Sequence, residues 1–153
     1  MSVFTMANAK IYIGTTAVAD DLTSYEADTY TEIKEVETIS GLDDIQNFAA
    51  FTSLRDSRTR RLKTTKAGAD ITISCGFDPT DAGQVALRAA SAVTQNTNYN
   101  FKVVYNDATV NKTTVYWSGV VGNDSYPGGS NEEIAMVDFV VTNNTGFVVE
   151  IRA

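Results

Sequence analysis

Residues 71–77 read Ile-Thr-Ile-Ser-Cys-Gly-Phe, and this alternation constrains the fold more than any other stretch of the chain. Ile71, Ile73, Cys75 and Phe77 fall on one side of an extended segment and Thr72, Ser74 and Gly76 on the other, the period of a half-buried strand. A helix signal follows at once. Asp78 can cap the first free N–H groups, and Pro79 suits the first helical position. Ala82, Val85, Ala86, Ala89 and Val93 form one apolar stripe, with Gln84 and Arg88 off it, and the small stripe residues predict close packing on a sheet.

The rest of the chain is strand-like. Lys10 to Ile13 reads as a short strand stopped by Gly14. Residues 30–39 (YTEIKEVETI) hold Ile33, Val36 and Ile39 at a spacing of three. Their Thr, Val, Ile and Tyr content and the nearby Gly41 nevertheless predict a strand carrying a bulge. Further strands are predicted over 99–105, 113–121 (with Val115, Trp117 and Val121 on one face), 133–142 and 147–151. Turns are expected at Asn106-Asp107-Ala108 with Asn111, at Pro127-Gly128-Gly129 and at Asn143-Asn144-Thr145-Gly146. Residues 17–29 are polar and poorly periodic and read as an irregular connection. The expectation is one domain over residues 1–153, mainly β, a sandwich or barrel of two antiparallel sheets with one flanking helix.

Composition removes most chemistry. The chain has 153 residues with 12 basic and 19 acidic side chains, a net charge of −7, which argues against a protein that grips nucleic acid through Lys and Arg. It has no His, so Ser-His-Asp and Cys-His arrangements and the His-containing zinc signatures are excluded. No Gly-rich phosphate loop is present. The neighbouring carboxylates Asp20-Asp21, Asp43-Asp44 and Glu132-Glu133 point to opposite faces of an extended chain and do not converge. A glycosidase-like pair brought together in space finds no support in spacing. The expectation is a non-enzyme with no cofactor and no metal. Cys75, the single cysteine, reads as a small buried hydrophobe and fits synthesis in a reducing compartment. The N-terminal residues show no signal-peptide pattern. No apolar run approaches the ~20 residues of a membrane span, so no membrane insertion is expected.

Residues 41–66 differ in kind. They start acidic at Asp43 and Asp44, continue through Phe48-Ala49-Ala50-Phe51 and Leu54, and end basic with Arg55, Arg58, Arg60, Arg61, Lys63 and Lys66. A connection this long is uncommon in a compact domain, and its aromatic residues are poor choices for a disordered tract. It is expected to be a long hairpin or arm that orders against something else. Phe48, Phe51 and Leu54 would supply a buried centre, and Asp43, Asp44, Arg55, Arg58, Arg60, Arg61 and Lys63 a charged rim. The bland reading is a solvated basic edge strand that discourages aggregation.

Taken in order, Tyr30-Thr31-Glu32-Ile33-Lys34-Glu35-Val36, Ser40-Gly41-Leu42, residues 51–63 (FTSLRDSRTRRLK), Ile71-Thr72-Ile73 and residues 77–84 (FDPTDAGQ) resemble the tail tube (major tail) proteins of long-tailed bacteriophages. The type VI secretion tube protein is related to that family and shares its architecture, which makes it a close alternative. The resemblance covers roughly the first two thirds of the chain. It implies a two-sheet β-fold with a flanking helix, assembled as hexameric rings around a shared inner barrel, with a long loop reaching the neighbouring ring. It further implies a structural virion protein of the phage tail, assembled in the bacterial host cytoplasm, whose partners are itself and tail proteins such as the tape-measure and terminator proteins. DNA would pass through the lumen without specific binding. Glu32, Glu35, Glu37, Asp70 and Thr72, which alternate with apolar residues on the strands flanking the arm, are the candidate lumen-facing positions. The arm's arginines are not expected in the lumen, because unpaired Arg would hold a duplex carrying about one charge per 1.7 Å instead of letting it slide. A capsid-decorating or carbohydrate-binding β-sandwich is the alternative from another class.

Overall fold

The computed structural model describes residues 3–94, 96–107, 112–122 and 125–150. The elements run β1 (Lys10–Ile13), α1 (Leu22–Ala27), β2 (Thr31–Ile33), β3 (Val36–Ser40), β4 (Asp44–Thr52), β5 (Thr59–Gly68), β6 (Ile71–Gly76), α2 (Ala82–Ser91), β7 (Tyr99–Val104), β8 (Thr114–Gly119), β9 (Met136–Val141) and β10 (Val148–Glu150). They form a five-stranded sheet in the order β10-β8-β7-β1-β2, a three-stranded sheet in the order β3-β6-β9, and a separate two-stranded ribbon of β4 and β5. Every pairing is antiparallel. The fold is the expected mainly β arrangement of antiparallel sheets.

The core lies between the two larger sheets. Ile11, Ile13, Phe101, Val103 and Trp117 come from one side, and Ile71, Ile73, Cys75, Val137, Phe139 and Val141 from the other. Phe101 and Trp117 are cross-strand partners whose rings stack 5.4 Å apart, a geometry that adds to area burial. Burial, and after it the carboxylates of Asp81 and Asp138, raises the Cys75 thiol to about 11, so it is the buried hydrophobe the sequence suggests.

Three local expectations need correction. Residues 17–29 are not wholly irregular, because they contain α1. Asp21 caps it, its carboxylate accepting from the Ser24 N–H at 2.8 Å, and buried Tyr25 stacks 5.5 Å from Tyr116 on the second face of the five-stranded sheet. Six residues are too few to show helical periodicity, so tertiary stacking decides this element. Residues 30–39 form two strands in different sheets. Glu35, at φ 61°, turns the chain from one sheet to the other, and the expected bulge sits within β3 between Val36 and Thr38.

The third correction concerns α2. Its cap is Asp81, whose carboxylate accepts from the Gln84 N–H at 3.2 Å and from the Lys34 N–H at 3.0 Å. Asp78 instead closes the preceding turn on Thr80, and Pro79 stays outside the helix. The helix buries Gly83, Gln84, Leu87 and Ala90, while Ala82, Val85 and Ala89 of the predicted stripe are exposed. Two features turn it that way. A Cβ on Gly83 would lie 2.2 Å from the Glu32 carbonyl oxygen, so only glycine lets α2 rest on the β2 backbone. Gln84 enters the interior because its amide finds partners there: Nε2 donates to the Gly76 and Lys34 carbonyls at 2.8 and 3.2 Å, and Oε1 accepts from the Asp78 N–H at 3.1 Å.

Beyond the helix, β7 and β8 match the expected strands, and Trp117 and Val121 reach the core. Residues 133–142 are strand only from Met136 to Val141. The turn at 143–146 closes with the Gly146 N–H donating to Asn143 Oδ1 at 2.9 Å. Ala108, Asn111 and Ile151, assigned above to a turn and to the last strand, lie outside the described residues.

Candidate assembly interface

The segment that the sequence singled out is a β-hairpin, and it extends two residues further than the reading at 41–66, to Gly68 at the end of β5. Its root is tight. Gly41 sits at φ 82°, and a Cβ there would lie 2.0 Å from the Asp70 carbonyl oxygen. The Asp43 N–H donates to the Gly41 carbonyl at 2.8 Å, and the Ala69 N–H to the Asp43 carbonyl at 3.0 Å. The arm thus leaves from between β3 and β6, adjacent strands of the three-stranded sheet, and its two ends are hydrogen-bonded to each other. At the tip, Ser57 adopts φ 55° and its N–H donates to the Ser53 carbonyl at 3.0 Å. Thr52 and Thr59 pair through their hydroxyls at 2.9 Å, and Arg60 forms an ion pair with Asp56.

The strand register separates the arm into two unlike faces. Directly opposed residues share a face and alternate residues return to it. Phe48 opposes Lys63 and Ala50 opposes Arg61, so these four share one face, on which the Arg61 guanidinium covers the Phe48 ring at 4.8 Å. Ala49 opposes Leu62 and Phe51 opposes Arg60 on the other face, where Ile45 also lies opposite Ala67. Phe48 and Phe51 therefore do not form one patch, and Leu54 is fully exposed in the turn that joins the two strands, the turn that also carries Arg55 and Arg58. Phe51, Leu62 and Ile45 make the more apolar face, and they keep 58, 61 and 52% of their surface exposed. The sequence reading missed Ile45 and Leu62. The alternation Ile45, Asn47, Ala49, Phe51 was the available signal, obscured by the run Phe48-Ala49-Ala50-Phe51 that overlaps it. Asp43 and Asp44 lie at the root, away from the tip.

The five lumen candidates are not brought to one surface. Thr72 lies on the outer face of the three-stranded sheet, opposite Ser40 and Val140, and its neighbour Ser74 lies opposite Thr38 and Asp138. Ser74 donates to the Asp138 carboxylate at 2.6 Å. Glu37 is exposed at the bulge of β3, Glu35 is in the turn before it, and Asp70 precedes β6. Glu32 is on the other sheet, opposite Tyr12 in β2 and β1. In the next strand Lys102 is held between the rings of Tyr12 and Tyr30, 4.6 Å from each, and burial there lowers its tendency to hold a proton. The β3, β6 and β9 sequences, VETIS, ITISCG and MVDFVV, contain no Lys or Arg.

Among the described residues, no cluster of three or more carboxylate or thiol side chains could hold a metal ion, and no helix is long and apolar enough to cross a membrane.

Comparison with known proteins fits this geometry. A sequence comparison with curated proteins yields no match. In fold the chain is similar to the sheath/tube terminator of an extracellular contractile injection system, PVC, with a TM-score of 0.73 and 13% identity over 99% of both chains. It is similar to a chain of the PVC sheath-tube complex at TM-score 0.67 and 12% identity, covering 97% of this chain and 91% of that one. For the SPP1 tail tube the values are 0.64 and 12%, covering 93% and 76%. A family described as phage tail tube protein matches residues 14–149, which decides for a structural tube protein over a decorating or carbohydrate-binding module. With its two-sheet body and projecting hairpin, the chain belongs to the phage tail tube protein family.

Proposed function

We propose that the chain polymerises as stacked, hexameric rings into the tube of a phage tail, conducts DNA through the lumen, and carries no catalysis and no cofactor. The observation that carries this reading is the arm: a long hairpin rooted in the body by hydrogen bonds, with large apolar side chains that stay exposed among the described residues. Such a ribbon is marginal alone and gains stability by packing on another surface.

The three-stranded sheet suits the wall of the lumen. Apart from one bridge between Val121 and Val141, β3 and β9 pair only with β6 among the described residues, so both edges are open to neighbours. Six copies giving three strands each would close about eighteen strands, and with ~4.8 Å between strands tilted ~40° the barrel is roughly 36 Å across its backbone. That is the size class that leaves a water-filled channel. Sharing strands also covers the open edges. The wall would present Thr38, Ser40, Thr72, Ser74 and Asp138, with Glu35, Glu37 and Asp70 at its margins and no base to trap phosphate. The arm then reaches a copy in the adjoining ring, and tape-measure and terminator proteins meet the tube inside and at its end. Assembly takes place in the host cytoplasm.

The test is negative-stain imaging of the purified chain at high concentration beside a variant lacking Asp44 to Gly68, with Asp43 joined to Ala69 by a short turn. These two residues are already hydrogen-bonded, so the body should fold. Tubes from the full chain and none from the folded, shortened chain are expected. Normal tubes without the arm would refute its role.

A further inference from the structure

Helix α2 carries small apolar residues on its outer side as well as its buried one. Gly83, Leu87 and Ala90 are buried by the body. Ala82, Val85, Ala89 and Val93 form a second stripe on the outside, where Val85 keeps 53% of its surface. The outer stripe carries no polar side chain, and a contiguous exposed apolar stripe of this kind is a face awaiting cover. Beside it runs a groove of about 480 Å³, lined by Phe77, Val85, Ala89 and Ala92, with Tyr126 and Asp78 at its margins. The Arg88 guanidinium is drawn over the Tyr126 ring at 4.4 Å, and its Nη1 donates to the Ser125 carbonyl at 3.0 Å, which leaves the groove predominantly apolar.

The arm offers the matching surface. Its Ile45, Phe51 and Leu62 face is exposed, and its charge is opposite to that of the body. Residues 45–66 carry six bases and one acid, net +5, while the remainder carries six bases and eighteen acids, net −12. Asp78 lines the groove, and the exposed Glu132 and Glu133 lie in the segment between Tyr126 and Ala135, whose carbonyl accepts from the N–H of the groove residue Phe77 at 2.9 Å. The Thr80 hydroxyl and N–H hold the Asp78 carboxyl below its ordinary range, so it is charged at neutral pH.

We propose that the α2 groove is the receptor for the arm of a neighbouring copy, with Phe51 and Leu62 laid over Val85 and Ala89 and the arm's arginines set against Asp78, Glu132 and Glu133. This rests on the tube reading above and names the surface that the arm meets. Arm and groove are different surfaces of the same chain, so the contact is heterologous: each copy donates one arm and receives another, and the series continues without closing on a pair. Apolar side chains supply the buried centre, and the complementary charges fix register and speed encounter.

The test uses two full-length chains, one Leu62→Cys with an affinity tag and one Val85→Cys without. The native Cys75 is fully buried, so the introduced thiols are the accessible ones. Co-assembly and mild oxidation should give a disulfide-linked pair of one tagged and one untagged chain, at least ten-fold over like pairs. In parallel, Val85→Glu/Ala89→Glu, both on the surface of the free subunit, should leave the melting temperature within about 2 °C and raise the concentration needed for tubes more than ten-fold. If the wild type forms no tubes, the tube reading and this one both fall. If it does, two results would overturn the groove assignment alone: no mixed pair with Val85→Cys or with Ala89→Cys, or tubes from the double Glu variant at the wild-type concentration. Blocked assembly without a mixed pair means that the groove takes another occupant, which overturns the arm as its ligand.

Discussion

Gln84 offers the sharpest test of how this fold is held. Its side chain is 3% exposed and makes three hydrogen bonds, two donated to the Gly76 and Lys34 carbonyls and one accepted from the Asp78 N–H. These join the end of β6, the crossover from β2 to β3 and the entry to α2. Gln84→Ala removes all three, and at ~1 kcal/mol net for each bond, with some unsatisfied groups costing more, the loss should be about 3–5 kcal/mol. A domain of this size loses ~2–4 °C per kcal/mol, so melting should fall by roughly 6–20 °C. Gln84→Glu separates hydrogen bonding from volume. The introduced carboxyl keeps the acceptor toward Asp78 but faces two carbonyls with an oxygen, beside the buried carboxylate of Asp81. Burial and these neighbours raise its folded pKa above the unfolded value of ~4.3. As a neutral acid it donates one bond, so its stability relative to wild type is greatest below about pH 4.3. That stability is lost at ~1.4 kcal/mol per pH unit as pH rises toward the folded pKa. Thermal melts of both chains at matched pH between 4 and 8 measure this. A Gln84→Glu deficit that is the same at pH 5 and pH 8, or a Gln84→Ala loss below 1 kcal/mol, would refute the account.

Other outcomes follow from single contacts. Gly41→Ala must place a Cβ at a positive φ against the Asp70 carbonyl. The left-handed conformation alone costs about 1–2 kcal/mol, and relief by re-aiming the arm should abolish tubes while circular dichroism still reports the β body. Cys75, with its thiol pushed up to about 11 by burial, should react with a thiol reagent at pH 7.5 only as fast as the domain opens, and labelling at the rate of a free cysteine would contradict the core described here. Tyr25→Phe removes hydroxyl contacts to Ser118 at 3.0 Å and Thr145 at 3.2 Å, and chemical denaturation should show a loss of ~1–2 kcal/mol. Thr72→Lys with Ser74→Lys should permit tubes yet slow DNA release from the assembled phage, and unchanged infectivity would speak against this sheet as the lumen wall.

The strands were legible because their alternation is local. Ile71, Ile73 and Cys75 point inward whatever lies across from them, and the lack of His and of metal-binding patterns needs no coordinates. The arm was legible as an anomaly of length and composition, because aromatic residues amid arginines suit neither a short loop nor a disordered tract. Its two faces were not, since a face depends on register, and the register of β4 on β5 follows from pairings across the hairpin. The exchange of sheets at Glu35 and the helix α1 were hidden for a related reason: the positive φ at Glu35 is imposed by the pairing of β2 and β3 in different sheets, and the Tyr25–Tyr116 stack joins residues far apart in sequence. The case of α2 separates the two sources most clearly. Periodicity located the helix and its apolar stripe, but a stripe says only that some surface wants cover. Only the packing of Gly83 on the β2 backbone and the bonds of Gln84 decide which face the subunit buries and which it leaves exposed.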